Sequence, residues 1–176
     1  MTNIEVRLHI DPTADENVRK GILKGMKMYL DEEGFIPRFS LSHYVEAAET
    51  ERRFRNPRGQ VDLERWLDLL STEKEVIANG YSTDRPHWDF VVTSQDVCPT
   101  KISQWNFVFG GFQGFYGSGR PDLASAVIST FRLSDRDPQL STARGTLVGY
   151  HEVSHLKETG HCAEQMCIYY HALGGL

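Results

Sequence analysis

The chain has little cysteine, no long apolar run and no block of like charge. Only Cys98, Cys162 and Cys167 occur in 176 residues. So small and odd a number makes a poor disulfide framework, so reduced thiols or metal ligands are the better reading. No stretch approaches the roughly 18 consecutive apolar residues of a membrane-spanning helix. The opening run Met1 to Ile10 alternates in character instead of forming a basic then apolar leader, and the expected location is the cytoplasm, with no membrane partner. With 19 basic against 24 acidic residues the net charge is −5, spread without a basic cluster. A phosphate-tracking surface for DNA or RNA is therefore not expected. Repeats, heptads and low-complexity tracts are absent, and the length suits one domain over 1–176.

Hydrophobic periodicity supplies the elements. Ile4, Val6, Leu8 and Ile10 alternate, which predicts an edge or second strand over 3–10 with one face buried. Val18, Ile22, Met26, Tyr29 and Leu30 recur at helical spacing before Gly34, predicting a helix over 14–33. The charge-rich middle reads as helical over 45–54 and 62–79, separated by a turn at Asn56-Pro57-Arg58-Gly59. Further strands are expected over 87–93, 105–109 and 123–133. The glycine-rich run Gly110 to Gly119 lacks the Lys-Ser/Thr ending of a phosphate cradle and reads as a loop or hairpin connection whose aromatic residues are candidates to line a cleft. Strands interleaved with helices predict a layered α/β or α+β domain.

One segment carries a sharp chemical meaning. His151 and His155 are four residues apart, so on a helix both imidazoles project from one face and can share one ion. Glu152 then sits beside the metal, placed to accept a proton from water as that water attacks a carbonyl. A catalytic zinc takes a third protein ligand and keeps its fourth position open. Gly160 and His161 supply a helix break and that ligand. Random order would give the five-residue His-Glu-x-x-His core in about 2% of chains of this composition, and the added histidine in under about 0.1%, so the long form is specific. A solvated helix face and a structural metal completed by Cys162 or Cys167 are the alternatives.

These residues resemble the metzincin zinc peptidases, whose motif is His-Glu-x-x-His-x-x-Gly-x-x-His or Asp. His151, Glu152, His155 and His161 match it position for position. Within that clan the archaemetzincins are most similar, because there too the last histidine is followed at once by Cys, four residues and a second Cys, as in His161-Cys162-Ala163-Glu164-Gln165-Met166-Cys167. Asn106 to Gly110 and Ala126 to Leu133 are similar to the strand segments that precede the active-site helix in that family. The resemblance implies a metzincin-like fold with a twisted mixed sheet, a backing helix near 14–33, an active-site helix near 142–158, a minimal lower part over 161–176, and strand 123–133 as the sheet edge that pairs with an extended peptide. It implies a zinc-dependent peptidase with His151, His155 and His161 as ligands, Glu152 as general base, and a peptide or protein as substrate.

Three positions depart from the family pattern. Glu158 stands where the motif has Gly, Tyr169 stands where the Met-turn methionine falls, with Met166 three places early, and no Cys-x-x-Cys pair follows Cys162 and Cys167. One catalytic zinc is thus expected and a second, structural zinc is not, since two cysteines cannot complete a four-ligand site. His171 is a stray candidate ligand. The rival readings are a non-catalytic zinc-binding protein on the same scaffold and a zinc amidase acting on a small molecule.

Overall fold

A computed structural model of the chain describes residues 2–42, 55–68, 70, 87–99, 108–116 and 121–155. Its elements are β1 (Thr2–Ile10), α1 (Glu16–Glu32), β2 (Phe35–Ser42), β3 (Val61–Asp62), β4 (His87–Thr93), β5 (Val97–Cys98), β6 (Gly110–Tyr116), β7 (Pro121–Ser129) and α2 (Pro138–Ser154). Residues 63–68 are helical as well. The main sheet has the order β2-β1-β4-β7-β6, and β3 pairs with β5 in a second, two-stranded sheet. Strands β2, β1, β4 and β7 run parallel, whereas β6 is antiparallel to β7.

Alternation decides which face each strand residue serves. Ile4, Val6, Leu8, Trp88, Phe90, Val92, Ala124, Ala126 and Ile128 form one buried cluster with Val18, Ile22, Met26, Tyr29 and Leu30 of α1 and Val148 and Val153 of α2. Both helices therefore lie on one face. On the other face Val91 and Val127 pack with Val61, Leu63, Trp66, Leu67 and Val97. The product is a three-layer α/β arrangement around a mostly parallel sheet. No helix among the described residues is long and apolar enough to cross a membrane.

Helix α1 starts where Asp15 Oδ1 accepts the backbone N–H of Asn17 and Val18 at 2.9 and 3.0 Å, and the chain turns out of it at Gly34 with φ of 74°. Its partner α2 begins at Pro138, four residues before the expected start at 142. Asp137 caps it through the N–H of Gln139 at 2.8 Å, and proline suits the first helical position because that N–H has no intrahelical partner. The helices run parallel and touch at backbone level. A Cβ on Gly25 would stand 2.1 Å from the carbonyl oxygen of Thr146, and one on Gly149 would stand 2.3 Å from that of Ile22; Gly21 and Gly145 are as tightly enclosed. Two Gly-x-x-x-Gly stripes thus let α1 and α2 approach closer than side chains permit.

Expectations about the sheet edge are corrected. Strand 123–133 is not the sheet edge: β7 ends at Ser129 and lies between β4 and β6. The chain turns at Thr130, with the Leu133 N–H bonded to the Thr130 carbonyl at 3.1 Å. The edge is β6, inside the run expected as a loop or hairpin connection, because Gly110 and Gly111 serve close approach from both faces and not a turn. Of the strand expected over 105–109, Val108 makes an isolated bridge to Val97 and 105–107 lie outside the described residues. Strands β2, β3 and β5 were not expected. The helix expected over 45–54, the stretch 71–79, Gly117 to Gly119 and the segment 156–176 also lie outside the described residues.

Candidate metal centre

Helix α2 carries His151 and Glu152 near its C-terminal end, and His155 follows immediately at the cap with φ of −63° and ψ of −16°. His155 keeps helical backbone, so the four-residue spacing places it one turn beyond His151. The two Nε2 atoms stand 3.2 Å apart, and the ring planes are perpendicular with centroids 4.7 Å apart. Two nitrogens bound about 2.0–2.1 Å from one tetrahedral zinc are separated by about 3.3–3.4 Å. The donor pair therefore fits such an ion. Between neutral rings the same separation is that of an N–H···N hydrogen bond, so the pair keeps ligand spacing without a metal.

Glu152 is buried, as is His151. Burial alone pushes the Glu152 carboxyl up to about 8, because removing water penalises the charged form; a divalent cation beside it would pull the other way. The side chain lies against the start of β6: a Cβ on Gly110 would come 2.9 Å from Glu152 Cδ and 2.7 Å from the Val127 carbonyl oxygen. Gly110 thus makes room for the carboxyl under the sheet edge. The sequence alone does not disclose this role: it puts Gly110 at the end of a strand segment and the start of a glycine-rich run, and nothing local to it says that Glu152 arrives there.

The structure brings His151 and His155 together and carries Glu152 on the same turn of α2, with its carboxyl against Gly110. His161, the third expected ligand, lies outside the described residues, as do Glu158, Gly160, Cys162, Met166, Cys167, Tyr169 and His171. Among the described residues no three His, Cys, Asp or Glu side chains gather to hold an ion. Cys98 is a free, buried thiol on β5, far along the chain from the motif. Burial and the nearby Asp62 push it up despite a hydrogen bond from Asn56.

No family model matches the sequence and no curated protein does. Solved structures do match. An archaemetzincin from Methanopyrus kandleri superposes with a TM-score of 0.60 at 22% identity, covering 96% of this chain and 80% of that one. A second archaemetzincin, from Archaeoglobus fulgidus and complexed with malonate, gives 0.58 at 18% identity over 96% of this chain and 85% of its own. A zinc-dependent peptidase from Methanocorpusculum labreanum gives 0.60 at 19% identity, covering 94% and 87%. The sheet order, the helix pair and these superpositions together make the fold archaemetzincin-like.

Proposed function

We propose that the chain is a zinc-dependent metallopeptidase acting on a peptide or protein, with His151, His155 and His161 as ligands of one catalytic ion. The observation that carries this reading is the 3.2 Å separation of the His151 and His155 Nε2 atoms, with the buried Glu152 on the same helix turn. The likeness in fold to a protein described as a zinc-dependent peptidase supports it. When bound there, zinc supplies a Lewis acid that polarises a carbonyl and acidifies water.

The chain's own groups do the rest. Glu152 takes the proton from the attacking water and delivers it to the amide nitrogen that leaves, so one carboxylate is base and then acid. Its burial sharpens both roles by excluding competing water. Strand β6 lies at the end of the sheet order, and its outer backbone N–H and C=O groups offer an extended peptide a strand to pair with. A peptide paired there would run beside Gly110, close to the Glu152 carboxyl.

Zinc content by elemental analysis and hydrolysis of peptide libraries test the reading, with Glu152→Gln as the diagnostic variant. The wild type is expected to hold one zinc per chain and cleave. Glu152→Gln is expected to hold zinc and lose about 10²–10⁴-fold in turnover. A wild type that holds zinc yet cleaves neither peptides nor small amides is a zinc-binding protein without turnover; cleavage of small amides alone makes it an amidase.

A further inference from the structure

The end of α2 carries both histidines, and the carbonyls of a helix's final turn are the ones most open to side-chain donors. Here side-chain hydroxyls take them up. The Ser154 hydroxyl donates to the His151 carbonyl at 2.6 Å, and the hydroxyl of Tyr29, on the other helix, donates to the Ser154 carbonyl at 3.4 Å in a buried setting. Tyr29 lies four residues beyond Gly25 and so continues the α1 stripe that faces α2. Where backbone contact between the helices ends, a ring and a hydroxyl bridge to the next turn. The ring is itself fixed, edge-on to Tyr150 with centroids 5.3 Å apart, and the Tyr150 hydroxyl donates to Glu32 at 2.6 Å.

We infer that Tyr29 is a positioning residue for the metal centre: its hydroxyl, acting through the Ser154 carbonyl, holds the final turn of α2 so that His155 stays at ligand distance from His151. The inference rests on the proposed zinc site, since it assigns Tyr29 no contact with metal or substrate. Loss of the hydroxyl lets the last turn fray, and His155, being the residue after it, is the ligand that moves. His151 sits one turn deeper, next to the segment that Gly149 clamps against Ile22, and stays in place. The defect is therefore one of ligand geometry, and it registers in metal binding before any substrate is added.

Metal-free wild type, Tyr29→Phe and Tyr150→Phe are titrated with Zn²⁺ and Co²⁺, following affinity and the visible absorption of bound Co²⁺, with thermal unfolding measured alongside. Tyr29→Phe is expected to bind about tenfold more weakly, the usual scale for losing a group that orients a ligand, with a shifted Co²⁺ spectrum. Tyr150→Phe removes one hydroxyl from the exposed rim of the same helix pair and is expected to stay within about twofold of wild type. If Tyr29→Phe matches the wild type in affinity and spectrum, the inference is overturned, even if the variant melts earlier. Should Tyr29→Phe not fold, a fluorinated tyrosine placed at Tyr29 changes the donor strength of the same hydroxyl while keeping the ring, and unchanged affinity and spectrum there overturn it equally. A wild type that binds neither metal overturns the zinc reading itself, a result seen before any variant is compared.

Discussion

On β1, β4 and β7 neighbouring residues face opposite ways, and the two faces solve different problems. Trp88, Phe90 and Val92 of β4 join the apolar cluster under α1 and α2. His87 and Asp89, between and beside them, look to the other face. There the buried Asp89 receives His9 Nε2 at 3.1 Å and Arg7 Nε at 3.6 Å, with His87 Nε2 at 3.9 Å. Arg7 is its cross-strand partner on β1 and Ser125 its partner on β7. The helix face thus gains its order from shape, and the opposite face adds directional pairing around Asp89 to its own apolar cluster, while His151 and His155 hang only from the first. The geometry of the proposed site at His151 and Glu152 depends on how tightly two helices can be pressed onto one apolar layer.

The largest effect is expected where that pressing is closest. Replacing glycine by alanine inside a helix ordinarily stabilises by about 0.5–1 kcal/mol. At Gly149 the new Cβ would meet the Ile22 carbonyl oxygen at 2.3 Å, a backbone atom that can yield only if the helices part. Gly149→Ala is therefore expected to lose about 3 kcal/mol or more in urea unfolding, and to weaken zinc binding with it. A stabilised variant would mean that the helix face is not governed by shape.

Asp89→Ala probes the other face. It leaves Arg7, His9 and His87 without the carboxylate they share, and a loss of about 2–3 kcal/mol is expected, below the scale for fully enclosed pairs because Arg7 is partly exposed. Zinc affinity should not change. Should this variant lose zinc in the same titration, the separation of the two faces is wrong.

How much of this the sequence discloses depends on whether the cause is local. The spacing of His151 and His155 is a property of one helix turn, and so is the alternation of Ile4, Val6 and Leu8; both are legible without a structure. The Gly21–Gly25 and Gly145–Gly149 stripes are visible too, but their meaning lies in the facing helix, more than a hundred residues away. Strand β2 escapes because Pro37 interrupts it and Phe39 and Leu41 remain exposed, which an edge strand tolerates and a central one does not. Strand β6 escapes because its glycines imitate a turn. The same cause displaced the sheet edge from β6 to β7.

Gly110→Ala sharpens the comparison at the point where the sheet edge meets the proposed site. The added methyl would press on the Glu152 carboxyl at 2.9 Å and on the Val127 carbonyl oxygen at 2.7 Å. The carboxyl can swing aside, so about 1–2 kcal/mol of stability is expected to go. Turnover should fall further than stability, with zinc retained, because the proposed proton acceptor is displaced and the proposed ligands are not. Equal losses in the two measurements would remove Gly110 from the account of the site.

Asp11, just beyond β1, offers the smallest effect and one that pH can switch off. Burial opposes charge on its carboxyl, but hydrogen bonds from the Ser94 and Thr13 hydroxyls and backbone N–H groups outweigh it and hold the group below its ordinary value. A carboxyl lowered in the folded state favours folding above the unfolded value near 3.8, and that contribution disappears as pH falls through the folded value. Asp11→Asn presents an amide donor where donors already converge, so at neutral pH it is expected to cost about 1 kcal/mol. The gap in unfolding midpoint between variant and wild type should be constant from pH 7 to about 5 and narrow steadily on acidification below about pH 4. A gap independent of pH would show that the loop is held by the shape of the Asp11 side chain and not by its charge.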